Sequence, residues 1–385
     1  MRSYREHFGR FLGAVPGRLH VAAHSHHPWP DVTFEAQQQA WLDAARLIDD
    51  KWDEIFGVVL PEAAGHICRR LGLSDPAAIA FAPSTHALVM RLLSTLTPPV
   101  RILTTDAEFH SFARQAARLE EDGLAAVERV PAEPFGSFPE RFAAAAGRGG
   151  HDLVYWSQVF FNSGYVVPDV AALVAAVRDP ETLVVIDGYH GFMAVPTGLA
   201  AVEGRAFYLA GGYKYAMAGE GACFAHCPPG YALRPVDTGW FAGFAELERA
   251  AAGKVAYAAG GGRFLGATFD PTGLYRLNAV QRWLDGLGVT VADIHARVAA
   301  LQGRFLAGGP HPELVPGPEF GDRGHFLTFR FTDPGGAAAL DAALHAAGVV
   351  VDHRHDRLRL GFGLYHDPAD VDELLRRLAG APGWP

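Results

Sequence analysis

The sequence predicts an α/β protein with a largely parallel sheet and a smaller C-terminal α+β domain. Short apolar segments alternate with helical or polar segments through the first two-thirds of the 385-residue chain. Such segments are typical of strands that are buried on both faces of a parallel sheet. After about residue 283 the pattern changes to longer strand-like segments between amphipathic helices. The chain is long enough for two domains of this kind.

The individual elements follow from hydrophobic periodicity. Amphipathic helices are predicted over 33–48, 61–72 and 86–96. Strands are predicted at AAIAFA (77–82), VRILTT (100–105), HDLVYWSQ (151–158), TLVVIDG (182–188), AFYLAGG (206–212) and GACFAHC (221–227). We expect three regions: an N-terminal segment (1–30) that packs with the small domain, a large domain (31–282) and the small C-terminal domain (283–385).

Composition excludes several classes of function. A formal net charge of −9 argues against a nucleic-acid or acidic-membrane partner. No apolar run approaches the roughly 18 residues needed to cross a bilayer, and the N-terminus has no signal-peptide pattern. The only cysteines are Cys68, Cys223 and Cys227, too few for a disulfide framework, which fits a reducing cytoplasm.

Lys214 lies among glycines, alanines and tyrosines in FYLAGGYKYAMAGEGACF (207–224), and the chain has only two other lysines, Lys51 and Lys254. Burial is expensive for an ammonium unless it is paired or deprotonated. Desolvation lowers the pKa of a lysine, and a neutral amine is what attacks a carbonyl. A solvated turn lysine is the ordinary alternative.

Asp187 and His190 follow the buried strand in LVVIDGYHG. A carboxylate at a strand end is costly unless a cation faces it. A protonated pyridine nitrogen would be such a cation, because the carboxylate keeps the proton on the ring. Taken alone, Asp187 could simply cap the turn that follows. The lysine 27 residues later, past the next strand, favours the functional interpretation.

Two further segments offer groups for a phosphate and a flat ring. Ser84 and Thr85 begin a helix directly after a strand, where free N–H groups and the helix dipole suit an anion. Ordinary N-capping is their alternative. In DAEFHSFAR, Phe109 or His110 could stack on a cofactor ring, and Ser111 is a further phosphate candidate. All of these groups follow strand ends, where ligands of parallel sheets bind. Together they describe a site for pyridoxal 5′-phosphate.

IDGYHG followed by GGYKYAMAGEG resembles the fold type I pyridoxal phosphate enzymes of the class V aminotransferase group, and most of all kynureninase and its relatives. The resemblance implies a large domain with a mostly parallel, seven-stranded sheet. It also implies that Lys214 is the Schiff-base lysine and that Asp187 and Lys214 are catalytic. The partners expected from it are a free amino acid and a second subunit that shares the active site.

The resemblance assigns roles to residues elsewhere in the chain. Tyr213 and Trp240 match residues that hold the cofactor phosphate, and Thr268, in GATFDP, matches a residue that reaches the partner subunit's phosphate. Ser25, in AHSHHPW, matches a substrate-side serine beside His24. These positions come from the resemblance alone.

Arg359 lies in RLRLGFGLYHDPADVDELL, which resembles the C-terminal signature whose arginine binds the substrate α-carboxylate. A guanidinium fork suits a carboxylate. Strand periodicity puts Arg357 on the same face. The alternative is that both arginines are solvated charges paired with Asp352 and Asp356.

The sequence leaves the reaction open between transamination and kynureninase-like hydrolytic cleavage of Cβ–Cγ. Phe161 stands where relatives commonly have an asparagine, with Asn162 displaced by one. Desulfurases need a cysteine on a mobile loop of the small domain, and no cysteine follows Cys227, which argues against their chemistry.

Two other classes of function remain to be tested. One is a metal-dependent hydrolase built on His24, His26 and His27 together with DHRHD (352–356), because His24 and His26 would share a face if the segment were a strand. This hypothesis leaves Asp187 and Lys214 unexplained. The other is a catalytically silent relative that only binds ligands. We expect no metal in the site.

Overall fold

The computed structural model describes residues 2–246 and 253–385. Its strands, in chain order, are Leu19–His20 (β1), Ile79–Ala82 (β2), Val100–Thr105 (β3), Ala125–Val130 (β4), Leu153–Ser157 (β5), Leu183–Asp187 (β6), Ala206–Ala210 (β7), Cys223–His226 (β8), Glu313–Leu314 (β9), Phe326–Arg330 (β10), Val349–Val350 (β11), Asp352–Arg354 (β12) and Arg357–Gly361 (β13).

The α-helices are Gly9–Gly13 (α1), Val32–Leu47 (α2), Lys51–Glu54 (α3), Leu60–Leu71 (α4), Thr85–Leu93 (α5), His110–Glu121 (α6), Phe138–Gly147 (α7), Val170–Ala176 (α8), Thr272–Leu287 (α9), Val291–Ala307 (α10), Gly336–Ala346 (α11) and Pro368–Leu378 (α12). Short 3-10 turns span Arg5–Phe8, Ile48–Asp50, Pro76–Ala78, Phe135–Ser137, Trp240–Glu246 and Gly260–Phe264, and a π-helical turn spans Ile55–Val59.

The large sheet has seven strands in the order β2-β8-β7-β6-β5-β3-β4. Strand β8 is antiparallel to both of its neighbours, and the other strand pairs in this sheet are parallel. The predicted α/β fold with a mostly parallel sheet is therefore confirmed. All six predicted strands are present; Val100–Thr105 has the predicted ends and the other five have shifted ends, whereas β4 was missed because its sequence, AAVERV, contains two charged residues.

Alternate residues of the central strands enter two different cores, one on each face of the sheet. Val154, Val184 and Tyr208 belong to one buried cluster. Their chain neighbours Leu153 and Phe207 belong to the other. This two-sided burial explains why the strands read as continuous apolar runs, since successive side chains point to opposite faces.

The C-terminal region builds a four-stranded antiparallel sheet in the order β12-β13-β10-β9 with its own apolar core. Strand β1 pairs in parallel with β11, with Leu19 opposite Val349, so part of the N-terminal segment contacts this region. Helix α9 runs through the predicted boundary at residue 282 and packs along α2 and α4 of the large domain. The exact division into domains stays a prediction.

Among the residues that the structure describes, no helix combines the length and apolar character that a membrane crossing requires.

Candidate active site

The carboxyl edge of the large sheet carries a cavity of about 230 Å³. Strands β5 and β6 end at Ser157 and Asp187, and β7 leads into the loop that holds Lys214. Because parallel strands end at the same edge, residues distant in sequence meet there. The predicted site residues that line this cavity are Ser84, Thr85, Phe109, Ser111, Asp187, His190, Tyr213 and Lys214.

Lys214 is buried, with 4% of its surface exposed. Its Nζ atom lies 3.0 Å from His190 Nε2 and 5.1 Å from the centre of the Phe109 ring. Burial lowers the pKa of Lys214 from 10.5 to about 7, against the attraction of Asp187, which raises it. The amine is thus largely neutral just above neutral pH, as a carbonyl-attacking lysine requires.

The glycines before Lys214 are required by close packing. A Cβ atom on Gly211 would lie 2.3 Å from Tyr189 Oη, and one on Gly212 would lie 2.5 Å from the carbonyl oxygen of Gly219. Only glycine permits such an approach. The loop is therefore held tightly against the sheet edge, which places the lysine in the cavity.

Asp187 accepts hydrogen bonds from Tyr155 Oη at 3.0 Å and from the Tyr189 backbone N–H at 2.9 Å. Burial raises the pKa of this carboxyl, while the Tyr189 N–H and the charge of Lys214 lower it. Within the described part of the chain, Asp187 makes no salt bridge. Its oxygens are therefore suited to a cationic ligand group at the sheet edge.

One end of the cavity is suited to an anion. Ser84 caps α5, with its Oγ accepting from the Ala87 N–H at 3.2 Å. Thr85 begins that helix, and Ser111 lies in the first turn of α6. The hydroxyls and the helix N-termini together supply donors of the kind that bind phosphate groups. Their predicted role in binding phosphate is compatible with this placement.

Phe109, rather than His110, contacts the cavity. The Phe109 ring faces Lys214, whereas His110 begins α6 and packs edge-on against Phe161 at 5.0 Å. Among these two neighbours, Phe109 is the one placed to cover a flat ring bound at Lys214.

Trp240 and Thr268 do not line this cavity. They contact each other, since Trp240 Nε1 donates to Thr268 Oγ1 at 3.0 Å, and Trp240 is 44% exposed. The predicted contact of Trp240 with a cofactor phosphate, and that of Thr268 with the partner subunit's phosphate, both stay predictions.

The predicted substrate-side residues also lie outside the cavity lining. Ser25 is half-buried, with Oγ 3.3 Å from His26 Nδ1, and His24 is fully buried. Arg359 is buried and donates to Asp352 and to the Phe161 carbonyl. The alternative that Arg359 pairs with Asp352 is thus correct in its partner, but the pair is buried rather than solvated. Arg357 donates to Glu133 at 2.6 Å, and its Nε atom lies 3.9 Å from Asp356 Oδ1.

The metal hypothesis loses its geometric basis. Residues 23–25 form a turn and residues 26 and 27 belong to no strand. The side chain of His24 is fully buried while that of His26 is 66% exposed, so the two do not share a face. His27 Nδ1 contacts its neighbour's carbonyl, Pro28 O, at 2.7 Å. Across the described residues, no group of three His, Cys, Asp or Glu side chains could hold a metal ion.

Sequence reasoning missed Glu108, which is buried beside the site. It accepts from Thr105 Oγ1 and Ser157 Oγ, each at 2.6 Å, and burial raises its pKa to about 8. Tyr155, the donor to Asp187, was missed as well. Tyr155 could not be found because it lies inside an ordinary apolar strand. Glu108 directly precedes Phe109, and an acid in that position was a usable signal.

This fold and site define a fold type I pyridoxal phosphate enzyme: a mostly parallel sheet with a buried lysine and a half-buried aspartate at its carboxyl edge. Residues 75–374 match the family model described as "Aminotransferase class-V". The chain belongs to this family, and its cofactor is pyridoxal 5′-phosphate. A buried amine of lowered pKa, an unpaired acid, a facing aromatic ring and two helix N-termini fit that cofactor.

The chain is 24% identical over 368 residues to a probable cysteine desulfurase from Pasteurella multocida (strain Pm70), covering 91% of this chain and 86% of that one. The cystine C–S lyase C-DES, in complex with its product cysteine persulfide, has a TM-score of 0.81 at 18% identity over 96% of this chain and 100% of that one. The apo cysteine desulfurase from Thermococcus onnurineus NA1 has a TM-score of 0.79 at 16% identity, over 98% and 97%.

A lysine-to-alanine variant of C-DES, in which glycine is covalently linked to the cofactor, has a TM-score of 0.83 at 18% identity, over 97% of this chain and 99% of that one. These structural similarities support the fold. None of these three proteins is a kynureninase, so the kynureninase-like reaction stays a prediction.

Proposed function

We propose that this protein is a pyridoxal phosphate enzyme that binds a free α-amino acid and breaks the bond between Cβ and a sulfur substituent without using a protein thiol. The observation that carries the proposal is the placement of Lys214, buried, with a pKa of about 7, in one cavity with Asp187 and Phe109. The bound cofactor supplies an electron sink for the bond electrons released at Cα.

Lys214 has two tasks in this proposal. Its Nζ would hold the cofactor in the free enzyme, and its neutral amine would take the proton from Cα of the bound substrate. A pKa near 7 suits the second task, because a general base is most effective when its pKa is close to the working pH. His190, whose pKa is lowered well below 6.5 by burial, stays neutral and can accept a hydrogen bond from Nζ.

Asp187 holds a proton on the cofactor's ring nitrogen. Tyr155 and the Tyr189 N–H fix the carboxyl oxygens. Asp187 has no salt-bridge partner among the described residues, so its negative charge would favour the protonated ring nitrogen. The electron sink depends on that proton. Phe109 covers the ring from the side of α6, and Ser84, Thr85 and Ser111 bind the phosphate.

The cysteines argue against transfer of sulfur to the protein. Cys68 and Cys227 are buried away from the cavity lining. Cys223 does line the cavity, but burial raises its pKa to about 11, so it is a thiol rather than a reactive thiolate. The sulfur would therefore be released in a small-molecule product, as in the C–S lyase whose product is cysteine persulfide.

The balanced reaction for cystine as a substrate is elimination. Lys214 removes the Cα proton and the Cβ–S bond breaks, so that the electron pair leaves with the disulfide sulfur. Cystine and water then give cysteine persulfide, pyruvate and ammonia. No external oxidant or reductant is required.

Kynureninase-like cleavage of Cβ–Cγ is the second candidate. It is supported by Phe109, an aromatic side chain at the ring position, and by Tyr213 beside Lys214 in the cavity lining. Transamination uses the same Lys214 and Asp187 and stays a third, less specific prediction.

A product assay on the cofactor-loaded protein separates these reactions. L-cystine, L-cysteine, L-kynurenine and L-alanine with a keto acid would be incubated in turn, and pyruvate, persulfide, alanine, anthranilate and new amino acids would be quantified. Pyruvate with persulfide from cystine supports the proposal. Alanine from cysteine, with sulfane sulfur bound to the protein, would contradict it, and anthranilate from kynurenine would favour the second candidate.

A further inference from the structure

Arg359 is buried against an acidic residue of its own chain. Strands β12 and β13 pair Asp352 directly with Arg359, and Arg359 Nη2 donates to Asp352 Oδ2. Both residues are largely buried, with exposures of 9% and 3%. The arginine that would receive the substrate carboxylate therefore already holds a carboxylate.

Several polar atoms around Arg359 have no hydrogen-bond partner among the described residues. They are Arg359 Nε, both ring nitrogens of His24 and Thr328 Oγ1, all buried. Thr328 is opposite Arg359 on β10, and His24 Nε2 lies 3.6 Å from Asp352 Oδ2. Buried polar atoms without hydrogen-bond partners reduce the stability of a protein. We therefore infer that this cluster binds a polar group of a ligand.

The cluster adjoins the Lys214 cavity through one layer of rings. Phe326 stacks on His24 at 4.8 Å and lies 5.6 Å from the ring of His190, which contacts Lys214. The guanidinium carbon of Arg359 lies 5.8 Å from the centre of the Phe326 ring. An amino acid whose nitrogen had taken the place of the Lys214 amine on the cofactor would thus be able to turn its carboxylate toward Arg359.

Asp352 has a second cationic partner. Its Oδ1 atom accepts from Arg354 Nη1 at 2.6 Å, and the Arg354 side chain is 41% exposed. If Oδ2 released Arg359, the charge of Asp352 would still be balanced by Arg354. The bond to Arg359 can therefore open without leaving an unpaired buried charge.

We propose that Asp352 is an internal competitor for the substrate carboxylate: it holds Arg359 in the free protein, and the substrate displaces it onto Arg354. This inference rests on the proposed function, since it assumes an amino acid bound at Lys214. The guanidinium group of the released Arg359 would then donate hydrogen bonds to the substrate carboxylate. The unpartnered polar atoms of His24 and Thr328 lie in the same cluster. The apparent affinity for a carboxylate is reduced by the fraction of protein in which Arg359 is occupied.

Two substitutions in the same cluster should act in opposite directions. Asp352→Asn removes the competing charge, and we expect the apparent Kd for an amino acid to fall about tenfold. Arg354→Gln removes the alternative partner, which strengthens the hold on Arg359, and we expect the Kd to rise about threefold. Purely structural damage would weaken binding in both variants.

The probe is L-alanine, titrated into cofactor-loaded protein and followed by the change in cofactor absorbance. L-Alaninamide, which lacks the carboxylate, is the matched ligand, and its Kd should not change in either variant. Asp356→Asn, at a half-exposed turn residue near Arg330 and Arg357, is the matched control substitution and should leave both affinities as in the wild type.

The outcomes separate the inference from the proposed function. A wild-type protein that responds to L-alanine, together with an Asp352→Asn variant that binds it no more tightly, overturns the inference alone. Equal gains for L-alanine and L-alaninamide also overturn it, because the effect would not depend on the carboxylate. A wild-type protein that responds to neither ligand overturns the proposed function, and the inference with it.

Discussion

Two pairs of a basic and an acidic side chain, one in the active-site cavity and one beside it, differ in whether the pair is closed, that is, whether its two members bond directly to each other. In the large domain, Lys214 and Asp187 face one cavity without a direct bond between them. In the small sheet, Arg359 and Asp352 are bonded across neighbouring strands. In the closed pair, each charged group has the other as its partner. In the open pair, Lys214 and Asp187 are not bonded to each other, so each remains available to a ligand.

This difference indicates which of the two pairs can bind a ligand group without first breaking a bond within the protein. The pKa of Lys214 is lowered and that of Asp187 is raised, both chiefly by burial. The protein therefore stabilises the charged form of each group poorly. The carboxyl of Asp352 instead has its pKa lowered, with Arg359, Arg354 and His24 outweighing the cost of burial. In our proposal, the cofactor binds between Lys214 and Asp187, and the substrate carboxylate has to replace Asp352 at Arg359.

The largest effect outside Lys214 itself is expected from Asp187→Asn. A neutral amide cannot hold the proton on the cofactor ring, so kcat should fall on the order of 10²-fold. The cofactor should still bind, because the phosphate contacts and Lys214 remain. Steady-state kinetics with an absorbance measurement of cofactor content checks both points, and nearly intact activity would show that the role given to Asp187 is wrong.

Arg359→Ala should reduce kcat/KM well over tenfold. Losing the partner of a desolvated carboxylate costs about 2–5 kcal/mol. Cofactor loading should be normal, since Arg359 does not line the cofactor cavity. Arg357→Ala is the matched control, because Arg357 lies on the same strand and pairs with Glu133. Equal, small losses in the two variants would mean that neither arginine binds the substrate carboxylate.

The pH dependence of cofactor attachment tests the open pair directly. Only the neutral amine attacks the cofactor, and burial lowers the pKa of Lys214 to about 7. The rate at which the apoprotein takes up pyridoxal phosphate should therefore rise about tenfold per pH unit below 7 and level off above it. Stopped-flow absorbance measures this rate. A rate that keeps rising toward pH 10, as with free Nα-acetyl-lysine, would show that Lys214 is an ordinary lysine.

The smallest effect is expected from Thr268→Val. We propose that the protein is a homodimer in which Thr268, bonded to Trp240, reaches the cofactor phosphate of the other subunit. Loss of one neutral hydrogen bond, about 1 kcal/mol, should weaken cofactor binding roughly fivefold. Equilibrium dialysis gives this affinity, and light scattering should report twice the mass of the chain. A stable, fully active monomer would contradict the proposal.

The sequence predicted which of the candidate site's side chains gather at one edge of the sheet, because they lie at strand ends. Lys214, Asp187 and Phe109 each follow an apolar strand, and the topology of a parallel sheet alone brings such positions together. Six of the seven strands were predicted from their apolar runs, whereas the charged residues of β4 concealed it, and the seven-stranded sheet itself was implied by the family resemblance.

The surroundings of Arg359 were predicted less well because they depend on contacts between distant segments. The pairing of Arg359 with Asp352 was visible as an alternative, since the two are close in sequence, but its burial was not. His24 and Thr328 reach this cluster from the N-terminal segment and from β10. Nothing in a local pattern indicates that these segments meet.

The central claim is that Lys214 carries the cofactor covalently, and locating the reduced adduct tests it most directly. The loaded protein would be treated with borohydride, digested and analysed by mass spectrometry, with Lys214→Ala as the control. The account predicts a pyridoxyl group on the peptide containing Lys214 and none in the variant, which should still fold. A pyridoxyl group on Lys51 or Lys254 in place of Lys214 would contradict it.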